Sequence, residues 1–277
     1  MPQPPVYRPI GQPFIVLQSV DSTNNYALDR LHEGMAQEGM AILAMEQVAG
    51  KGQRGKKWSA AKGDGLLLSV VINPHPLQLN EQFHLSACIA LAAADLLEKY
   101  TAGGITIKWP NDLYWQDRKA GGILIENIIG SAGAENSGSS WKWAVAGTGL
   151  NINQPDFPPE LANPVSLRQV TGRKWEVEEL ARELCRCIAL RLAELFDKGP
   201  GPVFQCFNER LYRKGQITRF RKGNKVFEAR VNRVLPTGEL EIKHALTELV
   251  RHGEAEWILE EKKQQPGNPF HSPGVDK

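Results

Sequence analysis

Ile105-Thr106-Ile107-Lys108-Trp109-Pro110-Asn111-Asp112-Leu113-Tyr114-Trp115-Gln116-Asp117-Arg118-Lys119-Ala120-Gly121-Gly122-Ile123 is the stretch on which the fold turns. A β-rich run, Ile105–Trp109, meets a polar turn at Pro110-Asn111-Asp112. A second short run, Leu113–Trp115, meets a turn at Asp117-Arg118. A third, Ile123–Ile129, leads to a Gly/Ser/Ala-rich tip at 130–140, and Trp141–Gly147 returns. Strand, turn, strand, turn, strand is the signature of an antiparallel meander. Thr148–Asn153 prolongs the return strand, with glycines that permit close approach and two asparagines, Asn151 and Asn153, able to reach a ligand.

Working outward, Phe14–Val20, Ala41–Met45 and Leu66–Ile72 read as further strands. Asp21-Ser22-Thr23-Asn24-Asn25 supplies helix-capping side chains, and Tyr26, Leu28 and Leu31 continue as a helix. Gln82–Tyr100 and Glu176–Phe196 carry broad apolar faces at helical spacing, the second through Val177, Leu180, Leu184, Ile188, Leu192 and Leu195. Gly103-Gly104 stops the first, and Pro200–Leu211 reads as a shorter helix. Gln154–Pro164 is a proline-rich loop. From Ile217 to Leu259 about five short strands alternate with turns, which predicts a small β-barrel leaning on the larger unit. The expected fold is α+β: a mixed, mostly antiparallel sheet flanked by helices, with a small C-terminal SH3-like barrel. The expected division is an N-terminal arm (1–12, four prolines), a large domain (13–214), the β-domain (215–262) and a disordered tail (263–277).

Composition narrows the function. With 277 residues, 42% hydrophobic and 23% charged, the chain is an ordinary globular protein, and a net charge of +2 provides no global field toward nucleic acid or membrane. No apolar run reaches the roughly 20 residues needed to cross a bilayer, and the proline-rich start lacks a signal core. Cys88, Cys185, Cys187 and Cys206 sit in apolar contexts without metal or disulfide spacing, as reduced thiols of a cytoplasmic protein do.

Two stretches carry chemistry. Gly50-Lys51-Gly52-Gln53-Arg54-Gly55-Lys56-Lys57-Trp58 joins two buried strands and holds three glycines, four cations and a closing tryptophan. Such a loop suits capture of a phosphate-bearing ligand and exclusion of water; a solvated basic turn and a nucleic-acid patch are the competing readings. Lys108-Trp109-Pro110-Asn111-Asp112 puts a cation, an aromatic, an amide and a carboxylate at one strand end, and Lys119 follows seven residues later. Asp112 and Asn111 offer oxygens to Mg²⁺, and the lysines offer point charges to phosphate or carboxylate. No Ser-His-Asp set or paired carboxylates suggest covalent catalysis; positioning and charge stabilisation fit better.

Asp21-Ser22-Thr23-Asn24, the Gln47–Trp58 loop, Lys108-Trp109-Pro110-Asn111-Asp112, the Asp117–Glu126 run and Gly147–Asn151 occur in this order, and together the chain resembles the bacterial biotin protein ligases over roughly residues 14–260. The resemblance implies a class II synthetase-like catalytic domain. It also implies a two-step reaction: biotin and ATP, with Mg²⁺, give biotinyl-5′-adenylate and pyrophosphate, and a lysine of a biotin carboxyl carrier protein domain then takes the biotin. By matching position it puts Ser22, Thr23, Asn24 and Gln47 around the fused ring of biotin. Gly50, Lys51, Gly52 and Gln53 close over its carboxylate and the adenylate phosphate, and Lys119 holds carboxylate and α-phosphate oxygens. Arg54, Trp58, Lys108, Asn111, Asp112 and Asn151 serve ATP, with Asn111 and Asp112 at the metal; Lys119, Lys51 and Lys108 form the catalytic set.

Two departures stand out, since the family's most familiar loop has arginines where this chain has Lys51 and Gln53. Lys51 loses the bidentate fork and Gln53 loses a charge, which predicts weaker retention of the adenylate. About 13 residues precede the first strand, so the resemblance is to the short form without an N-terminal DNA-binding domain, and no nucleic-acid or membrane partner is expected. Homodimerisation through edge strands, found in many members, is compatible with the chain. A lipoate or octanoate ligase shares the scaffold, but a linear acyl chain offers nothing to Ser22, Thr23 and Gln47, whereas a cyclic urea does. A non-catalytic nucleic-acid binder is the remaining alternative, and the near-neutral charge counts against it.

Overall fold

Every residue of strand β3 (Gly65–Ile72) is buried, and so is every residue of β2 (Ala41–Ala44). A strand buried on both sides must have cover on both faces, and the helices supply it. The computed structural model describes residues 9–131 and 139–259. Before β2 come β1 (Phe14–Leu17) and α1 (Thr23–His32). After β3 follow α2 (Gln82–Thr101), β4 (Ile105–Lys108), β5 (Asp112–Trp115), β6 (Arg118–Ser131) and β7 (Ser139–Asn151), then α3 (Leu167–Thr171), α4 (Val177–Lys198) and α5 (Pro200–Glu209). The seven strands form one sheet in the order β1-β2-β3-β7-β6-β5-β4, antiparallel except for the parallel pair β1–β2.

Alternation along β3 sorts its side chains. Leu66, Leu68, Val70 and Ile72 join the large core with α2 and α4, while Val71 packs with Ala27 of α1 and Val145 of β7. On α2, 12 of 20 residues are buried, which explains its near-continuous apolar reading. It ends as its glycines require, with Ala102, Gly103 and Gly104 all at positive φ. The stripe Val177, Leu180, Leu184, Ile188, Leu192 and Leu195 of α4 is buried throughout. Asp95 of α2 accepts from Arg191 of α4 at 2.7 Å and from Arg210, just past α5, at 2.8 Å, tying the helical layer together.

Beyond α5, strands β8 (Ile217–Lys222), β9 (Lys225–Val234), β10 (Leu240–Lys243), β11 (Thr247–Val250) and β12 (Glu256–Ile258) form a second sheet, ordered β11-β10-β9-β8-β12. The expected barrel is corrected here: β11 and β12 at the two ends do not pair, so the sheet stays open. With three residues, β12 answers only half of the six-residue β8 and leaves no length to close the ring. Its apolar face, including Phe220, Val231, Val234 and Ile242, belongs to the same core as the large sheet. The Trp109 indole donates to Gly238 O at 2.9 Å, and that of Trp257 to Trp109 O at 3.2 Å, so the second sheet is fastened to the end of β4.

The short helix α3, capped by Ser166 and Gln169, was not foreseen; five residues hold too little periodicity to register. Most of the expected N-terminal arm, the hairpin tip at 132–138 and the expected tail lie outside the described residues. Among the described residues no helix is long and apolar enough to cross a membrane, and the four cysteines are free thiols.

Candidate functional site

The first turn of α1 lies against the middle of the sheet and spends its polar groups inward. Ser22, Thr23 and Asn24 are all buried. The Thr23 backbone N–H, one of the orphan donors of a helix start, donates to Gln47 Oε1 at 2.7 Å, and the Thr23 hydroxyl donates to the same oxygen at 2.9 Å. Ser69 Oγ lies 2.7 Å from Thr23 Oγ1 and 2.6 Å from Asn24 Oδ1, so its one proton serves two acceptors. The Asn24 amide donates to Leu124 O at 3.3 Å and to Glu126 Oε2 at 2.7 Å. Ser22 ends the chain's approach without capping the helix through its hydroxyl. The neutral groups of Thr23, Asn24, Gln47 and Ser69 are thus fixed in direction by their bonds, with the Glu126 carboxylate at their edge.

Beside them the sheet has a floor poor in side chains, with glycine at three of its four positions. In the register of β6 and β7, Gly122 faces Gly149 and Leu124 faces Gly147. A Cβ on Gly147 would collide with Asn24 Oδ1, and one on Gly149 would lie 2.6 Å from Trp58 Cε2. Glycine is therefore required for α1 and the loop tryptophan to touch the strand.

The basic loop forms a small hairpin over this floor. Trp58 N donates to Gly50 O at 2.9 Å and Gly52 N to Lys56 O at 2.6 Å, with Arg54 at the tip in the left-handed region (φ 56°). The Arg54 guanidinium reaches Gly253 O of the second sheet at 3.5 Å. Lys51 Nζ lies 3.4 Å from Glu126 Oε1. Asp21 stays below the usual carboxylate range, chiefly through the hydrogen bond from Asn25, against a small opposing effect of burial and with the Lys51 charge helping.

At the other end of the floor, Lys119 Nζ donates to Asp112 Oδ1 at 2.7 Å and lies 5.9 Å from the Trp58 ring. Lys108, half-buried, sits over Tyr114 at 5.5 Å and Trp257 at 5.7 Å. Burial pulls its ammonium down to about 8; Asp112 opposes this, and Lys119 and Lys56 add to it. Asn111 donates its amide to Ile123 O at 2.7 Å, which fixes the side chain in the turn. Asn151 is buried, donating to Lys119 O at 3.2 Å and accepting from Gln154 at 3.4 Å, so its amide braces the strand that carries Lys119. A cavity of about 120 Å³ opens beside Asn111, between the loop residue Gln53, Phe83 of α2, Ile123 and Ile125 of β6, and His252 of the second sheet.

The structure thus brings the expected residues into one neighbourhood. Ser22, Thr23, Asn24 and Gln47 meet at one end. Lys108, Asn111, Asp112 and Lys119 meet at the other. Gly50, Lys51, Gly52, Gln53, Arg54 and Trp58 lie above. The site also takes in two residues outside that set: Ser69, the one polar side chain in Leu66–Ile72, and Glu126, which with Asn127 interrupts the apolar run Ile123–Ile129. Among the described residues there is no cluster of three or more metal-capable His, Cys, Asp or Glu side chains.

Residues 16–137 match the model of the biotin/lipoate A/B protein ligase family. The chain is 39% identical over 192 residues to the bifunctional ligase/repressor BirA of Escherichia coli, an alignment that takes in 68% of this chain and 56% of that protein. It is 32% identical over 206 residues to the biotin–[acetyl-CoA-carboxylase] ligase of Paracoccus denitrificans, covering 73% of this chain and 82% of the relative. It therefore spans little more than half the length of the BirA proteins it matches and most of the shorter relative. Its fold superposes on the biotin protein ligase from Aquifex aeolicus in complex with biotin and ATP, with a TM-score of 0.73 and 25% identity over 89% of this chain and 98% of that one. Fold, ordered motifs and sequence agree, and the chain belongs to the biotin/lipoate A/B protein ligase family, on the side of its biotin ligases.

Proposed function

We propose that this protein is an ATP-dependent biotin protein ligase. One observation carries the reading: the neutral network of buried Thr23, Asn24 and Ser69 with half-buried Gln47 faces a lysine pair, Lys119 and Lys108, across a glycine-rich floor. A ligand fitting both ends is neutral and polar at one and anionic at the other. The ureido ring and valerate carboxylate of biotin have that form, whereas a linear acyl chain leaves the buried network without a partner. The named activity of the Paracoccus relative and the biotin and ATP of the Aquifex complex support the same reading.

In the first step a carboxylate oxygen of biotin attacks the α-phosphorus of ATP and pyrophosphate leaves. Carboxylate and triphosphate repel each other at contact by several kcal/mol in a low-dielectric site. Lys119 and Lys108 offset that repulsion, most strongly as charge builds on the α-phosphoryl oxygens. Asp112 holds Lys119 in direction, and Asn151 fixes its backbone. The cavity beside Asn111 is the compartment we assign to the nucleotide base. Asp112 and Asn111 provide three side-chain oxygens, one of them accepting from Lys119, too few for a protein-only cage but suited to a Mg²⁺ that arrives on phosphates and keeps its waters. Bound there, the ion would neutralise phosphate charge. Closure of Gly50–Trp58 keeps water from the mixed anhydride. In the second step the amine of a carrier lysine attacks the acyl carbon and AMP leaves. The carrier we expect is the biotin carboxyl carrier domain of a biotin-dependent carboxylase.

Pyrophosphate release from ATP, with biotin or lipoate offered separately, tests the reading. Release with biotin alone is expected. Release with lipoate alone, or with neither acid, would overturn it.

A further inference from the structure

Glu126 is the odd residue of the site. It lies on the pocket side of β6 two positions beyond Leu124, and the two resemblance-based sets of ligand contacts do not include it. Yet its carboxylate joins both of them. Oε2 accepts from the Asn24 amide at 2.7 Å, which belongs to the ring end of the pocket. Oε1 faces Lys51 Nζ at 3.4 Å, which belongs to the loop. The loop's cation, which the resemblance puts over the ligand's carboxylate, is thus already paired with a carboxylate of the protein.

The pair is one that can be exchanged. Its side chains are 40% and 29% exposed, and its 3.4 Å separation is long for a charge-assisted contact. Half-solvated pairs of this kind contribute little on their own, roughly 0–1 kcal/mol. Lysine also suits exchange, because its ammonium is a point charge on a flexible stem, without the planar fork that would fix it to one carboxylate. By contrast, the Asn24–Glu126 bond is short and leans on a buried amide, so Glu126 stays when Lys51 leaves.

We propose that Glu126 is a positioning residue that stands in for the substrate carboxylate: it holds Lys51 over the pocket mouth until an acid arrives, and Lys51 then passes from Glu126 to the ligand. Two properties follow. The loop is kept near its closed position without ligand by a contact that the ligand itself replaces. Binding of an acid is also weakened by the cost of breaking the Lys51–Glu126 pair, a cost that a neutral analogue does not meet, because it gives Lys51 no reason to move.

The inference rests on the biotin reading, so the test compares biotin with biotinol, the uncharged alcohol of the same ring and chain. Both are titrated calorimetrically into the wild type, Glu126→Gln, Lys51→Met and the double variant. Gln at 126 can still accept from Asn24 but no longer competes as an anion. Glu126→Gln is expected to bind biotin roughly two- to fivefold tighter, the range that an exposed pair allows, with biotinol unchanged. In the Lys51→Met background the Glu126→Gln gain should vanish. An equal change for acid and alcohol would reduce Glu126 to a structural support of Asn24 and overturn the proposal. So would unchanged biotin affinity, or a gain that persists without Lys51. Should Glu126→Gln fail to fold, Glu126→Asp replaces it. Its carboxylate retracts by one methylene, and it should show the same preference at smaller size; no preference would again overturn the proposal. A wild type that binds neither compound refutes the biotin reading itself, a result distinct from all of these.

Discussion

At the start of α1, Thr23, Asn24 and Ser69 are neutral, buried and bonded to one another; at the far end of the floor, Lys108, Lys119 and Asp112 are charged and half in water. The difference follows from what each end can tolerate. A buried hydrogen bond keeps its direction but is costly to leave unmade, so the neutral end is a fixed template. A fully buried lysine would lose its charge, so the cationic end stays partly solvated and each lysine keeps a protein partner until a ligand replaces it. One end selects by shape and hydrogen bonds, the other acts by charge that can be redirected.

Three measurements separate the ends. The largest effect is expected from Lys119→Ala: adenylate formation in single turnover falls by about 10²–10³-fold, the range for loss of one donor to developing charge, while ATP affinity changes by less than about fivefold. An equal loss in both would make Lys119 a ground-state anchor and blur the contrast. Next, Ser69→Ala removes the proton shared by Thr23 and Asn24. Biotin affinity should fall by about tenfold or more, and stability by roughly 1–3 kcal/mol, the cost of a buried acceptor left unpaired; ATP binding should not change. Denaturant melts and calorimetry report both.

The smallest effect near neutrality concerns Lys108. Its native pKa, near 8, lies below the ordinary lysine value of 10.5. Between those values the unfolded chain holds the proton that the folded chain has released, so this group's contribution to folding stability rises with pH across that window. The cation's pull on phosphate moves the other way. ATP affinity should be nearly flat below pH 8 and then weaken, by at most about tenfold per pH unit for one proton. Lys108→Arg should flatten the profile in an affinity titration at pH 7, 8 and 9.

Much of this was legible beforehand because the relevant signals are local. The strands of the meander were bounded by turns, Gly103-Gly104 ended α2, and the apolar stripe of α4 fell on one face. The loop announced itself by glycines and cations packed into nine residues. What stayed hidden depends on partners distant in sequence. Ser69 reads as an impurity in an apolar strand until α1 is laid across it, and Glu126 as a stray charge until Lys51, 75 positions earlier, folds over it. Asn151 reads as a ligand-facing amide, yet a strand pairing brings Lys119 O within its reach. Closure of the second sheet into a barrel depended on whether its last strand was long enough, and three residues in β12 were not.

Trp257, on that last short strand, lies over Lys108 and also donates to the carbonyl of Trp109 beside it. The appended sheet therefore works as an insulator, helping to shield one amine of the nucleotide compartment from solvent and so to lower its hold on a proton. Any rocking of the sheet away from β4 would admit water and restore the ammonium's basicity, so a movement of the appended sheet would be felt, above about pH 8, as added positive charge where the phosphates bind.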